Sequence, residues 1–174
     1  MFKYNVEEYI AKDIYSGPLS WDLRIGKLTS DDYWLAVKRK YDKCDFIKSL
    51  NLKELWYDQF TPICGMLELI NSLKGNFRLG IISGNIVDRV EYLFNKYNFE
   101  KYFDFQGYSF MYNLHKNNHK LYRKVINEFN IDPNSVLFID DNADCLEAAK
   151  CCGFNTYLFA NINELKRELK IYGI

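Results

Sequence analysis

The sequence predicts an α/β protein in which an N-terminal helical region (residues 1–61) precedes a parallel-sheet core (residues 62–174). Apolar runs alternate with amphipathic stretches in the core, whereas the first 60 residues show only helical periodicity. One apolar run, residues 136–139, ends in two adjacent carboxylates, Asp140 and Asp141. A buried strand that ends in paired acids places negative charge at the rim of an apolar sheet.

Length and composition fit one folded domain, with at most a small appendage. The chain has 174 residues, is 48% hydrophobic and carries 23 basic and 23 acidic residues. This balance favours neither nucleic acid nor an anionic membrane as a partner. No apolar run approaches ~18 residues and no signal-peptide pattern opens the chain, so we expect a cytoplasmic protein without a membrane span. The five cysteines lack zinc-site spacing, and we interpret Cys145 and Cys152 as helix-face packing in a reducing compartment.

The first 60 residues predict helices that pack through aromatic side chains. Ile10 and Ile14 lie on one face of a helix that ends near Pro18. Thr29 stands three residues before Asp32, which is the spacing of a capping box at the start of the next helix. We interpret the aromatic residues as an interhelical core, part of which could also line a substrate mouth. These residues are Tyr33, Trp34, Tyr41, Trp56, Tyr57 and Phe60.

Four β/α units follow the helical region. The predicted helices are 64–74, 86–97, 118–130, 143–152 and 162–171, and the predicted strands are 77–82, 104–110, 135–140 and 154–159. Asn142 and Asn161 are expected to cap the last two helices, and Gly153 is expected to adopt positive φ after the first of them. Successive β/α units predict one parallel sheet, in which strands 77–82 and 135–140 point the same way.

Polar residues follow three of the predicted strands. Ser83 follows the first strand, Lys116 lies a few residues past the second, and Asp140 and Asp141 end the third. Ligands of such sheets bind at the carboxyl ends of the strands. A hydroxyl, an ammonium and a carboxylate pair suit phosphate and a hard cation such as Mg²⁺. Taken singly, each has a simpler interpretation: a turn, a solvated lysine and a helix cap.

A calcium loop is excluded by two residues. Asp140, Asn142 and Asp144 have its alternating spacing. However, Cys145 stands where the loop requires Gly, and Cys151 stands where it requires Glu.

Three segments resemble motifs of the haloacid dehalogenase-like (HAD) hydrolases. IISGN (81–85) resembles the second motif, KNNHKLY (116–122) the third, and FIDDNAD (138–144) the fourth, metal-binding motif. The segment 21–34 is similar to the helical cap that one branch inserts after its first strand. The resemblance implies a Rossmannoid parallel sheet with an N-terminal helical cap.

The resemblance also implies an activity and a site. The family default is hydrolysis of small phosphomonoesters with Mg²⁺, although dehalogenases and phosphomutases belong to it as well. Asp140 and Asp141 would hold Mg²⁺. The residues that would bind the phosphoryl oxygens are Ser83, Gly84, Asn85 and Lys116.

The sequence departs from the family in its first motif, an apolar strand that ends in D-x-D and supplies the nucleophile. The nearest match, FDFQG at 103–107, has Gln106 where the second Asp belongs. In the third motif, Asn117 and Asn118 replace the usual Pro-Asp. We therefore predict that the chain as given is inactive and that the central first strand is missing or replaced. The alternating residues 1–6 are a candidate substitute.

Two alternatives belong to other classes. A non-catalytic phosphate- or metal-binding protein, or a regulatory pseudoenzyme, would use the same groups. A two-component receiver also combines an acid pair, a hydroxyl and a lysine. Its acid pair lies near the chain start, whereas here only 33 residues follow Asp141, so we give it little weight.

Overall fold

The computed structural model describes residues 7–45, 50–98 and 100–174, and its architecture is α/β as predicted. The candidate substitute strand at residues 1–6 lies outside the described residues. The helices are α1 (Glu8–Ser16), α2 (Pro18–Arg24), α3 (Ser30–Lys40), α4 (Leu52–Asp58), α5 (Met66–Leu73), α6 (Val87–Tyr97), α7 (Ser109–Tyr112), α8 (His119–Phe129), α9 (Ala143–Lys150) and α10 (Ile162–Ile171). The strands are β1 (Gly80–Ser83), β2 (Phe105–Tyr108), β3 (Leu137–Asp140) and β4 (Asn155–Leu158).

Helix ends follow the capping residues that the sequence predicts. Thr29, Asn142 and Asn161 each accept a backbone N–H from the first turn, at 2.9–3.1 Å. Gly153 has φ 93°, as expected. The predicted strand 104–110 is wrong at its end, because the chain turns helical from residue 109 onward.

The chain divides into two compact units. The first contains the described residues up to Thr61 together with Ser83–Lys101 and Tyr108–Asn113. The predicted boundary after residue 61 coincides with one limit of this unit, but two later segments also belong to it. Segment 83–101 joins this unit because Ile86 and Tyr92 pack in the same apolar cluster as the N-terminal helices.

Trp56 is the centre of the first unit's core. Its side chain is 1% exposed, and its ring centroid lies 5.7–6.2 Å from the rings of Tyr33, Trp34 and Tyr57. Aromatic pairs at such distances contribute beyond the area that they bury. The prediction of an aromatic interhelical core is therefore confirmed.

Tyr33 completes the hydrogen bonding at the end of α1. Its hydroxyl donates to the carbonyl oxygen of Ile14 at 2.5 Å, and the ring is fully buried. A helical carbonyl normally accepts the N–H four residues later, but that residue is Pro18, which has none. Tyr33 supplies the donor that the proline cannot.

The second unit contains the described residues Pro62–Ile82, Tyr102–Gly107 and Leu114–Ile174. Its strands β3 and β4 pair in parallel, in a register that runs from Leu137 opposite Asn155 to Asp140 opposite Leu158. The helix α9 connects the two strands in the chain. Buried residues of both strands' surroundings form one hydrophobic core, which includes Tyr122, Phe138, Leu146, Ala149 and Phe154.

The described residues show the four strands as two pairs. Here β1 pairs with β2, and β3 pairs with β4. The candidate linking strand at residues 1–6 lies outside the described residues, so the sharing of one sheet by strands 77–82 and 135–140 stays a prediction. No described strand connects β1 to β3, and the space that both strands border is a cavity.

This cavity lies within the second unit and has a volume of about 920 Å³. Residues 76–82 and 135–141 line it without a break in either run. Successive strand side chains point to opposite faces, so uninterrupted runs show that the edges of β1 and β3 form its walls. Apolar residues of α5 and α10 complete the lining, and α5 has no buried residue. We call this cavity the inter-strand slot.

We expect Tyr33→Phe to lower the free energy of unfolding by about 1–2 kcal/mol, because a buried carbonyl loses its donor. Urea titrations followed by tryptophan fluorescence measure the change. Tyr9→Phe, at a position that is 63% exposed, is the matched control and should leave stability unchanged. Equal stability of the two variants would contradict the role of Tyr33.

Candidate functional site

Asp140 is a buried carboxylate at the last position of β3. It is 7% exposed, whereas the next residue, Asp141, is exposed. One oxygen of Asp140, Oδ1, accepts the backbone N–H of Asn142 at 2.9 Å. The other, Oδ2, accepts a hydrogen bond from the ammonium of Lys116. A buried charge is stable only with such partners.

Lys116 lies in the loop before α8. Its ammonium is 5.6 Å from the centre of the Phe138 ring, so Lys116 contacts two residues of β3. Lys116, Asp140 and Asp141 all line the inter-strand slot. Three of the predicted site residues therefore lie along one cavity.

The predicted phosphate loop, Ser83 to Asn85, belongs to the first unit. Ser83 is the last residue of β1. The carbonyl oxygen of Gly84 accepts a hydrogen bond from Arg24 Nη1 at 2.9 Å. Asn85 Oδ1 accepts the N–H of Ile86 at 2.9 Å and a hydrogen bond from Arg89 Nε. The loop is thus fixed by two arginines within its own unit.

Sequence reasoning missed both arginines. Arg89 is 2% exposed, and its guanidinium carbon lies 4.5 Å from the ring centre of Trp56 and 4.1 Å from that of Phe60. Burial, together with the nearby charge of Arg24, lowers the pKa of Arg89 to about 9, so the side chain stays charged at neutral pH. The sequence offered one signal for the contact between Arg89 and Asn85. Arg89 follows Asn85 by four residues, which is about one helical turn.

The donors at the end of β3 fit Mg²⁺ better than zinc. Asp140 and Asp141 have hard carboxylate oxygens, and the described part of the chain has no group of three or more His, Cys, Asp or Glu side chains that could hold a metal ion. Mg²⁺ binds through one or two carboxylates plus water and substrate oxygens, whereas structural zinc requires four protein ligands. Asn142 uses its side-chain oxygen to cap α9, which further excludes a calcium loop.

Cys145 lies next to this site but is not a nucleophile. Its side chain is 7% exposed, and burial raises the pKa of its thiol to about 11. The thiol is therefore neutral at physiological pH and packs in the core, as predicted.

Comparison with known proteins identifies the family. The protein-family model of the haloacid dehalogenase-like hydrolases matches residues 24–159, which is most of the chain. The chain belongs to the haloacid dehalogenase-like hydrolases. The predicted resemblance to the HAD family is thereby confirmed.

A curated relative of this HAD-like chain is an uncharacterized protein from Dictyostelium discoideum. It is 30% identical over 115 residues, which cover 62% of this chain and 48% of that protein. The chain thus matches about half the length of this relative.

Solved structures support the HAD-like fold. A predicted HAD-like family hydrolase from Porphyromonas gingivalis has a TM-score of 0.73 at 22% identity, over 93% of this chain and 83% of that chain. A HAD family enzyme from Bacteroides thetaiotaomicron, in complex with magnesium and inorganic phosphate, has a TM-score of 0.71 at 18% identity, over 84% and 76%. The L-2-haloacid dehalogenase from Xanthobacter autotrophicus gives 0.61 at 20% identity, over 93% and 70%. At these identities the likeness shows the fold alone.

Across the described residues, none of the helices is long and apolar enough to cross a membrane.

We expect Cys145 to resist alkylation in the native HAD-like chain, because its thiol is buried and protonated. Iodoacetamide labelling at pH 8, followed by peptide mass spectrometry, should modify the exposed Cys64 and Cys151 first. All three thiols should react in denaturant. Rapid native labelling of Cys145 would contradict its assignment to the core.

Proposed function

We propose that this HAD-like chain binds small phosphomonoesters together with Mg²⁺, at a site of phosphatase type. The observation that carries the proposal is the placement of the Lys116 ammonium with the carboxylates of Asp140 and Asp141 along the inter-strand slot. An ammonium beside two hard-oxygen ligands matches the two needs of phosphoryl recognition, which are charge neutralisation and a cation.

Each residue has a defined role in this proposal. Lys116 binds a phosphoryl oxygen, and Asp140 and Asp141 hold Mg²⁺. The cation, when bound, supplies electrostatic stabilisation of the phosphoryl group. The hydroxyl of Ser83 and the Gly84–Asn85 segment are assigned phosphoryl binding by resemblance to the second motif, and that assignment remains a prediction.

We further propose that the 174 residues bind phosphate without hydrolysing phosphate esters. The sequence contains no pair of aspartates separated by one residue, so it lacks the D-x-D of the family's first motif. A covalent route needs a carboxylate that can attack phosphorus. Asp140 does not meet this need, because the proposal assigns its carboxylate to Mg²⁺.

The inter-strand slot supports the same proposal. Its walls are edges of β1 and β3 that have no strand partner among the described residues. Apolar helix faces flank it, as they flank the strands of a parallel sheet.

A second candidate is a non-catalytic phosphate- or metal-binding protein. The absence of D-x-D from the sequence favours it. It uses the same residues and also predicts no turnover by these 174 residues. The in-frame coding sequence upstream of Met1 separates the two candidates, because a strand encoded there that ends in D-x-D would favour the hydrolase.

We expect the purified chain to bind inorganic phosphate in the presence of Mg²⁺, and Lys116→Ala to abolish this binding. Isothermal titration calorimetry measures both. Lys120→Ala, at an exposed position on α8, removes an equal charge outside the site and should keep the affinity. Unchanged binding in Lys116→Ala would overturn the assignment of the lysine.

We expect no hydrolysis of generic phosphomonoesters by the chain above the uncatalysed background, even with Mg²⁺. Loss of a covalent nucleophile costs several powers of ten in kcat. A continuous phosphate-release assay provides the measurement. Robust turnover that disappears in Asp140→Asn would show that the chain has a working nucleophile and would favour the enzyme over the binding protein.

A further inference from the structure

The ion pair between Lys116 and Asp140 is more buried than four other ion pairs of the structure. Its side chains are 22% and 5% exposed, respectively. In each of the other four, both side chains are at least 29% exposed; these pairs are Lys27–Asp22, Lys40–Asp13, Lys53–Asp88 and Lys96–Asp58. A buried pair incurs a desolvation cost that surface pairs avoid, so its presence calls for a reason beyond stability.

The pair occupies a carboxylate that the proposed cation also needs. Asp140 Oδ2 accepts from Lys116, and Oδ1 accepts from the backbone of Asn142. The ammonium of Lys116 is engaged in the same way, because it donates to the carboxylate of Asp140. In this arrangement Lys116 competes with the cation for Asp140 Oδ2, and Asp140 competes with phosphate for the ammonium of Lys116.

Charge leads to the same conclusion. Two carboxylates and one ammonium give Lys116, Asp140 and Asp141 a net charge of −1, which repels a phosphate dianion. With a divalent cation on the carboxylates the sum becomes +1, which attracts it. In the partly buried surroundings of Lys116 and Asp140, this change in net charge alters the electrostatic energy of a nearby phosphate far more than it would in bulk water.

We propose that Asp140 exchanges Lys116 for the divalent cation, and that this exchange releases the lysine to bind the anion. Lys116 thus acts as a switch that makes cation and phosphate binding mutually supportive. The inference rests on the proposed function, since it assumes that the site takes both ligands. It adds that the lysine is held in a closed position by the metal ligand itself until the cation arrives.

Lysine reactivity tests the exchange in the unmodified chain. A pulse of an amine-acetylating reagent, read by peptide mass spectrometry, reports how free each ammonium is. We expect Mg²⁺, in a phosphate-free buffer, to raise the acetylation rate of Lys116 several-fold relative to the exposed Lys120. In Asp140→Asn, Lys116 should react at the high rate with and without Mg²⁺. Unchanged or slower acetylation of Lys116 under conditions where calorimetry shows Mg²⁺ binding would overturn the exchange.

Cation affinity gives an independent measurement. Lys116→Met keeps the length of the side chain and removes the competing charge, so we expect Mg²⁺ to bind roughly tenfold more tightly by calorimetry. Lys120→Met is the matched control and should bind as the unmodified chain does. Weaker or equal Mg²⁺ binding in Lys116→Met would count against the exchange.

The two hypotheses fail in different ways. If the unmodified chain binds neither Mg²⁺ nor phosphate, both the proposed function and the exchange are wrong. If both ligands bind but each leaves the affinity of the other unchanged, the proposed function stands and the exchange is wrong. Phosphate affinity that rises with Mg²⁺, together with faster labelling of Lys116, supports both.

Discussion

A buried carboxylate at the end of a strand is the constraint on which the second unit depends. Asp140 ends β3 at 7% exposure, and burial of an unpaired charge is strongly unfavourable. The backbone of Asn142 supplies one donor at the start of α9, and Lys116 supplies the other. The carboxylate therefore fixes a strand end, a helix start and a loop relative to one another. The same three elements carry the residues that the proposed function uses.

The first unit meets the opposite problem, a buried cation, in a different way. Arg89 stacks on Trp56 and Phe60 and donates to the amide oxygen of Asn85. Aromatic faces offer a cation a favourable surface without a second charge, which suits a guanidinium that needs planar contact. Because Asn85 lies in the loop after β1, this packing holds the loop from within the helical unit. In both units, therefore, a loop of chemical interest is positioned by a buried charge.

The inter-strand slot lies where β1 and β3 have no common strand partner among the described residues. Parallel strands normally have a partner along both edges and helices on both faces. In the second unit apolar residues of the helices α5 and α10 line the slot, but β1 and β3 have no described strand between them. No residue of α5 is buried, although the periodicity of this helix is that of a core helix. Similarity to HAD structures over 84–93% of the chain shows that the remaining elements still follow the family arrangement.

The sequence by itself determined the elements and their order. Caps at Asn142 and Asn161, the alternation of strands and helices, and the motif around Asp140 depend on residues within about four positions of one another, so they can be read locally. The pairing of β1 with β2 and of β3 with β4 could not be derived in this way, because strand pairing is decided by residues that lie dozens of positions apart. For the same reason only the tertiary structure revealed that Lys116 holds Asp140 and that Arg89 lies on an aromatic core. Long-range contacts between buried charges and their partners leave no periodic signal in the chain, whereas helix caps and strands do.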